Sequence, residues 1–218
     1  MIQAILKFIQ GVLLVMMTLF IPARTWHFVH GWILMGILFI PMFCVGLILM
    51  FKNPDLLVKR LNVKETENVQ KYVIAGTGIM FIIGFVLAGM NAREHWHDLP
   101  QWVVIAGIVV FLLSYGLFGE VLRENTYLSR VVEVQDNQKV IDTGLYGIVR
   151  HPMYMASLFL FLSMPLVLNS FYIFLVFLIY PYFISLRIKN EEAVLEEGLR
   201  GYRDYQKKVK YKVIPLIW

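Results

Sequence analysis

The chain has 218 residues, 59% of them hydrophobic and 16% charged, with a mean hydropathy of +0.67. That balance excludes an ordinary soluble domain and defines an integral membrane protein. The formal charge of +5 lies on no soluble basic module, so cytoplasmic lysines explain it and nucleic acid is set aside as a partner.

Residues 2–21 are apolar apart from Gln3, Lys7, Gln10 and Thr18, about the length one helix needs to cross the hydrocarbon core. No small-residue cleavage site follows and another apolar stretch comes soon after, so a retained first helix is expected rather than a signal peptide. Trp26 marks an interfacial loop before the second span, residues 31–51. Cys44, the sole cysteine, lies in that span, which excludes a disulfide framework and leaves packing as its expected role. The charged segment 52–71 is too long for a minimal turn, and a short surface helix is expected there. Residues 72–90 form a third span. Its Gly76, Gly78, Gly84 and Gly89 follow no strand, so they read as close helix contacts and not as a nucleotide loop. A loop with His95, Trp96 and His97, to which no role is assigned, leads to a fourth span, residues 102–122. After a long polar stretch, residues 154–168 and 171–186 are joined by Asn169 and Ser170, which predicts a tight antiparallel hairpin, with a kink at Pro181. The expected fold is therefore all-α and polytopic, with about six transmembrane helices. All but Arg24 and Arg93 of the 20 Lys and Arg then fall on one side, so both termini are expected in the cytoplasm.

Polar groups concentrate in the run from Asp142 to Tyr154, at the mouth of the last two spans. Pro152 fixes its own φ and disfavours helix at His151, so a helix is expected to start at Pro152. Its first amides lack intrahelical acceptors and carry the positive end of the dipole, next to Arg150 and His151, a setting suited to a carboxylate or phosphate. Gly144 and Gly147 allow a tight turn around Tyr146. Against this stands a plain capped helix entry with snorkelling Arg and Tyr, given equal weight. A second group, Arg187, Glu191 and Glu192, sits where the last span emerges, with Arg187 and Glu191 on one helix face. From Glu196 to Lys212 the tail is expected as an amphipathic helix on the headgroups.

Gly144-x-Tyr146-x3-Arg150-His151-Pro152-x-Tyr154, then Arg187-x3-Glu191-Glu192-x2-Leu195 and Gly201-Tyr202-x2-Tyr205, resembles the isoprenylcysteine carboxyl methyltransferase family of integral membrane methyltransferases. Residues 209–218 end the chain as the family's prokaryotic relatives do, and a prokaryotic cell membrane is the expected location. The resemblance implies S-adenosylmethionine as donor, a cytoplasmic-side cofactor site in residues 123–218, and a lipophilic acceptor entering from the bilayer. Residues 1–122 are then scaffold and acceptor selection.

A sulfonium donor needs cations for its carboxylate, carboxylates for its ammonium or ribose, and aromatic walls for adenine. Arg150, His151 and Pro152 at the helix start are assigned to the first, Glu191 and Glu192 to the second, and Tyr146, Tyr154 and Tyr202 to the third. Arg187 is expected to orient the acceptor, with Glu191 shared between donor and chemistry. Phospholipid N-methylation, small-thiol S-methylation and an NADPH-dependent membrane reductase remain as alternatives. The five histidines are too scattered for a diiron hydroxylase, and no metal site is assigned.

Overall fold

The structure, a computed structural model, describes residues 2–52, 54, 57, 68–125, 127, 128, 132, 134, 135 and 137–218. Much of the expected surface helix in 52–71 lies outside them. Four long helices come first: α1 (Ile2–Ala23), α2 (Val29–Lys52), α3 (Asn68–Glu94) and α4 (Gln101–Glu124). A 3-10 turn (Gly144–Gly147) precedes α5 (Pro152–Val167), α6 (Phe171–Phe177), α7 (Tyr180–Gly198) and α8 (Tyr202–Lys208). The chain is an all-α, polytopic integral membrane protein. Where about six crossings are expected, the described residues hold five stretches long and apolar enough to span, the fifth being Phe171–Gly198, together with the shorter apolar α5. At about 1.5 Å per residue, the 16 residues of α5 rise only about 24 Å, short of a hydrocarbon core of about 30 Å.

The hairpin and its proline behave as their chemistry demands. Asn169 turns the chain with φ +57°, and α6 stops at Phe177, four residues before Pro181. Pro181 offers no N–H to the Phe177 carbonyl and its ring crowds that oxygen, so the last span is broken there rather than bent at Pro181 itself. Of the four glycines in α3, three admit a neighbour. A Cβ at Gly89 would lie 2.2 Å from the Leu19 carbonyl of α1, and at Gly84 and Gly76 it would meet the rings of Phe177 and Phe183 at 2.3 and 2.5 Å. Gly78 differs from the expectation, having nothing within 4 Å, because it faces a cavity. In α4, Gly107 lets Leu166 and Val167 of α5 approach.

Two polar ties sort the helix ends. At one end, Asn91 Nδ2 donates to the Asn169 carbonyl at 3.3 Å and the Leu99 amide donates to Asn169 Oδ1 at 2.7 Å. At the other, Gln70 Nε2 donates to the Arg187 carbonyl at 3.2 Å and to Asn190 Oδ1 at 2.7 Å. The starts of α3 and α5 and the emerging part of α7 therefore share one end, which is where the sequence places its charged motifs.

Two expectations are corrected. Cys44 is exposed on α2 and not packed inside, since the apolar surface of a membrane helix faces lipid as well as protein. The tail is not one surface helix over 196–212. The chain breaks after Gly198, turns at Gly201 with φ +88°, and forms only the short α8. Leu199, Tyr202, Tyr205 and Val209 are buried with Val134, Val140 and Leu195 packed on them, so the apolar stripe faces protein rather than headgroups.

Candidate active site

Pro152 opens α5 as expected, with His151 at its N-cap position. Before it, Gly144 takes φ +50° and leaves room for Glu124, whose Oε2 accepts the Leu145 amide at 3.0 Å. Any Cβ at Gly144 would collide with that carboxylate. The resulting turn buries Tyr146, whose hydroxyl accepts from Asn125 Nδ2 at 2.9 Å and whose carbonyl accepts from the Tyr205 hydroxyl at 2.7 Å.

The segment 209–218 folds back over this region. The Arg150 and His151 amides donate to the carbonyls of Tyr211 and Lys212 at 2.9 and 2.8 Å, and Val213 is fully buried in the transmembrane core. Arg150 Nη1 donates to the Val209 and Lys210 carbonyls at 2.8 and 3.0 Å, while its Nε meets Glu192 Oε1 at 2.8 Å. Glu192 is the hub. It is buried, and it also takes His151 Nε2 at 3.1 Å on Oε1 and Lys212 Nζ at 2.7 Å on Oε2. A buried carboxylate with one partner would be costly, and three cationic or imidazole partners offset that cost.

Glu191 faces the cavity. Tyr154 donates its hydroxyl to Glu191 Oε2 and accepts from Arg187 Nε at 2.9 Å, so one phenol joins the two motifs. The Arg187 guanidinium also lies 5.9 Å from the centre of the Tyr154 ring, and His151 stacks on the same ring at 5.6 Å. Tyr154 is thus one partner of Arg187.

These groups border a cavity of about 750 Å³. Its polar end is formed by Tyr146, Arg150, His151, Tyr154, Glu191 and Tyr202; its apolar arm runs between the helices past Val73, Gly78, Phe118 and Ile184 to Phe81 and Phe161. Tyr202 contributes a buried hydroxyl with no hydrogen-bond partner among the described residues. Burial raises its ionisation above the normal phenol range, helped by Glu192, and burial does the same for Tyr205, so both are neutral donors at physiological pH.

The structure brings the residues assigned to the donor and acceptor in the sequence to one end of the bundle. Within it, Glu191 and Tyr202 face the cavity with capacity to spare, while Glu192 and much of Arg150 are engaged with the protein itself. Sequence reasoning missed Lys212 and the carbonyls of Val209 and Lys210. Lys212 is one of eight cations beyond Leu186, and nothing in its spacing separates it from solvated neighbours. His27, His30, His95 and His97 lie at the other end; His95 Nδ1 sits 3.3 Å from Asp98 Oδ2.

Residues 102–200 match the model of the family described as Phospholipid methyltransferase. This stretch contains both charged motifs and stops just short of Tyr202. The chain is also 23% identical over 149 residues to a Delta(14)-sterol reductase of Methylotuvimicrobium alcaliphilum, a likeness that covers 62% of this chain and 35% of that protein. The chain therefore spans about a third of the length of that relative. The family whose model matches 102–200 is one of methyltransferases, and the apolar helices bear out the integral membrane location.

Proposed function

We propose that this chain is an S-adenosylmethionine-dependent methyltransferase that methylates a lipophilic acceptor drawn from the bilayer, by carboxyl O-methylation of an isoprenylcysteine-like substrate. The observation that carries the reading is the single cavity joining a charged, aromatic end at the helix mouths to an apolar arm inside the membrane. A zwitterionic nucleoside suits the first and a lipid the second. The donor set fits: His151 and the remaining donors of Arg150 take the carboxylate, Glu191 the ammonium, and Tyr146, Tyr154 and Tyr202 wall the adenosine. The orphaned Tyr202 hydroxyl is the kind of group a bound ligand satisfies.

When bound, the donor supplies an electrophilic methyl group. The chain's own contribution is alignment and exclusion of water, since an acceptor carboxylate is already ionised at neutral pH. Arg187 holds that carboxylate, and Tyr154 ties Arg187 to Glu191 so that acceptor and donor groups keep one register. Glu192 and Pro152 shape the donor site from behind: Glu192 by fixing Arg150 and His151, Pro152 by starting the helix. Residues 1–122 act as scaffold and as part of the acceptor wall. Both termini lie in the cytoplasm of a prokaryotic cell, which puts the charged end beside the soluble donor; labelling of a cysteine at residue 205 from the outer face would overturn that orientation.

Two further readings rest on specific observations. The family description favours a phospholipid amine as acceptor, and the likeness to a sterol reductase favours hydride transfer from NADPH. Calorimetry of the solubilised protein with S-adenosylhomocysteine and with NADPH separates the reductase from the methyltransferase readings, and turnover with a phospholipid amine against a prenylated carboxylate separates the two acceptors. Binding of S-adenosylhomocysteine alone is expected; binding of NADPH alone would replace the methyltransferase reading.

A further inference from the structure

The apolar arm of the cavity has a floor. On three helices the residues that line it stop at the same depth: Phe81 on α3, Phe161 on α5 and Tyr180 on α7. These rings close on one another edge to face. Phe81 and Phe161 are 4.8 Å apart at 87°, and Phe161 and Tyr180 are 4.8 Å apart at 73°. Phe81 also packs at 5.3 Å on Phe177, which is fully buried behind it. Tyr180 is fixed in turn, its hydroxyl donating to Ser157 Oγ at 3.1 Å.

The depth of the arm can be read from helix geometry. Tyr154 to Phe161 and Arg187 to Tyr180 are each seven residues, and Val73 to Phe81 is eight, so at about 1.5 Å per residue all three walls give roughly 10 to 12 Å. An extended hydrocarbon chain advances about 1.3 Å per carbon, given bonds of about 1.5 Å, which leaves room for about eight or nine carbons between Arg187 and the rings.

We propose that Phe81, Phe161 and Tyr180 are a chain-length stop, restricting the buried part of the acceptor to one hydrocarbon chain of about eight or nine carbons. The proposal rests on the acceptor reading above and narrows it. Neither a full-length acyl chain of a membrane phospholipid nor a farnesyl group fits inside; a shorter single chain, such as a geranyl group, does.

The test uses the whole protein in nanodiscs and straight-chain carboxylates from hexanoate to hexadecanoate as probes, with calorimetry referenced to free aqueous probe and empty nanodiscs subtracted. Affinity is expected to rise about fourfold per methylene, the burial value of one such group, until the chain meets the rings near nonanoate, and then to stop rising. Phe81→Ala is expected to move the break to longer chains and Phe81→Trp to shorter ones; Phe161→Leu repeats the lengthening at a second wall should the alanine variant fail to fold. A continuous rise through hexadecanoate in the native protein would mean that the chain leaves sideways into the bilayer, and a break unmoved in all variants would place the stop elsewhere. Either result overturns the proposal. A parallel titration with S-adenosylhomocysteine keeps the two readings apart: donor binding without a length break removes the stop alone, and a length break without donor binding removes the methyltransferase reading alone.

Discussion

The two ends of the helical bundle are held by opposite kinds of polar chemistry. At the hairpin end, the neutral Asn91 amide donates to the Asn169 backbone, and the side-chain oxygens of Asn91 and Asn169 accept from the loop before α4. At the motif end, one carboxylate, Glu192, gathers Arg150, His151 and Lys212. Neutral amides satisfy the backbone and stop there, whereas a charged cluster beside a cavity is an environment an ionic ligand can enter. The contrast teaches that the first end is a clasp and the second a receptacle.

The most severe way to break the contrast is Glu192→Ala. It strands a buried guanidinium, and stability should fall by about 3 to 5 kcal/mol in denaturant unfolding. Asn169→Ala at the other end should cost about 1 to 3 kcal/mol, the cost of leaving the part-buried Leu99 amide without its acceptor. Equal losses would erase the distinction between the ends. The comparison sharpens with Arg150→Ala, His151→Ala and Glu191→Ala, each expected to weaken S-adenosylhomocysteine binding by about 1 to 3 kcal/mol in calorimetry. Unchanged affinity in all three would put the donor elsewhere.

Arg187→Lys keeps the charge and loses the planar fork that reaches Tyr154. Methyl transfer should fall by about tenfold or more, equivalent to about 1.4 kcal/mol, with donor affinity nearly unchanged. A loss confined to donor affinity would move Arg187 to the donor side.

The smallest effect belongs to Asp142, whose exposed carboxylate meets Lys208 Nζ at 2.6 Å. That hydrogen bond holds its ionisation below the ordinary carboxylate range. Because the folded value is depressed, the contribution is present above the unfolded value and is lost as pH falls through the folded one, in acid below about pH 4. Asp142→Asn should flatten that slope in melting curves taken down to acid, and an unchanged slope would show that the pair contributes nothing.

The sequence discloses most of what local physics dictates. Pro152 starts a helix, Pro181 breaks one, and the spacing of Arg187 and Glu191 puts both on one face; each follows from backbone or helix geometry alone. The charge distribution also places the two motifs at one end. What stays hidden depends on tertiary return of the chain. The stripe Leu199, Tyr202, Tyr205, Val209 has helical spacing whether it meets headgroups or the segment around Val134 and Val140, so spacing alone does not tell a surface helix from a buried return. Tyr154 reads as an aromatic wall, and only folding shows its hydroxyl between Arg187 and Glu191. Lys212 has no local mark at all, since its partner lies 20 residues earlier on α7.

The return of residues 209–218 onto Arg150 and His151 has a consequence for biosynthesis. The amides of Arg150 and His151 find their acceptors about sixty residues later in the chain. At roughly 5 to 20 residues per second, a ribosome supplies those acceptors about 3 to 12 seconds after it has made Arg150. The apolar helices are therefore available to the bilayer before the charged pocket can close. Insertion and assembly of the pocket are separate events, and a chain halted between them would sit in the membrane with its receptacle open.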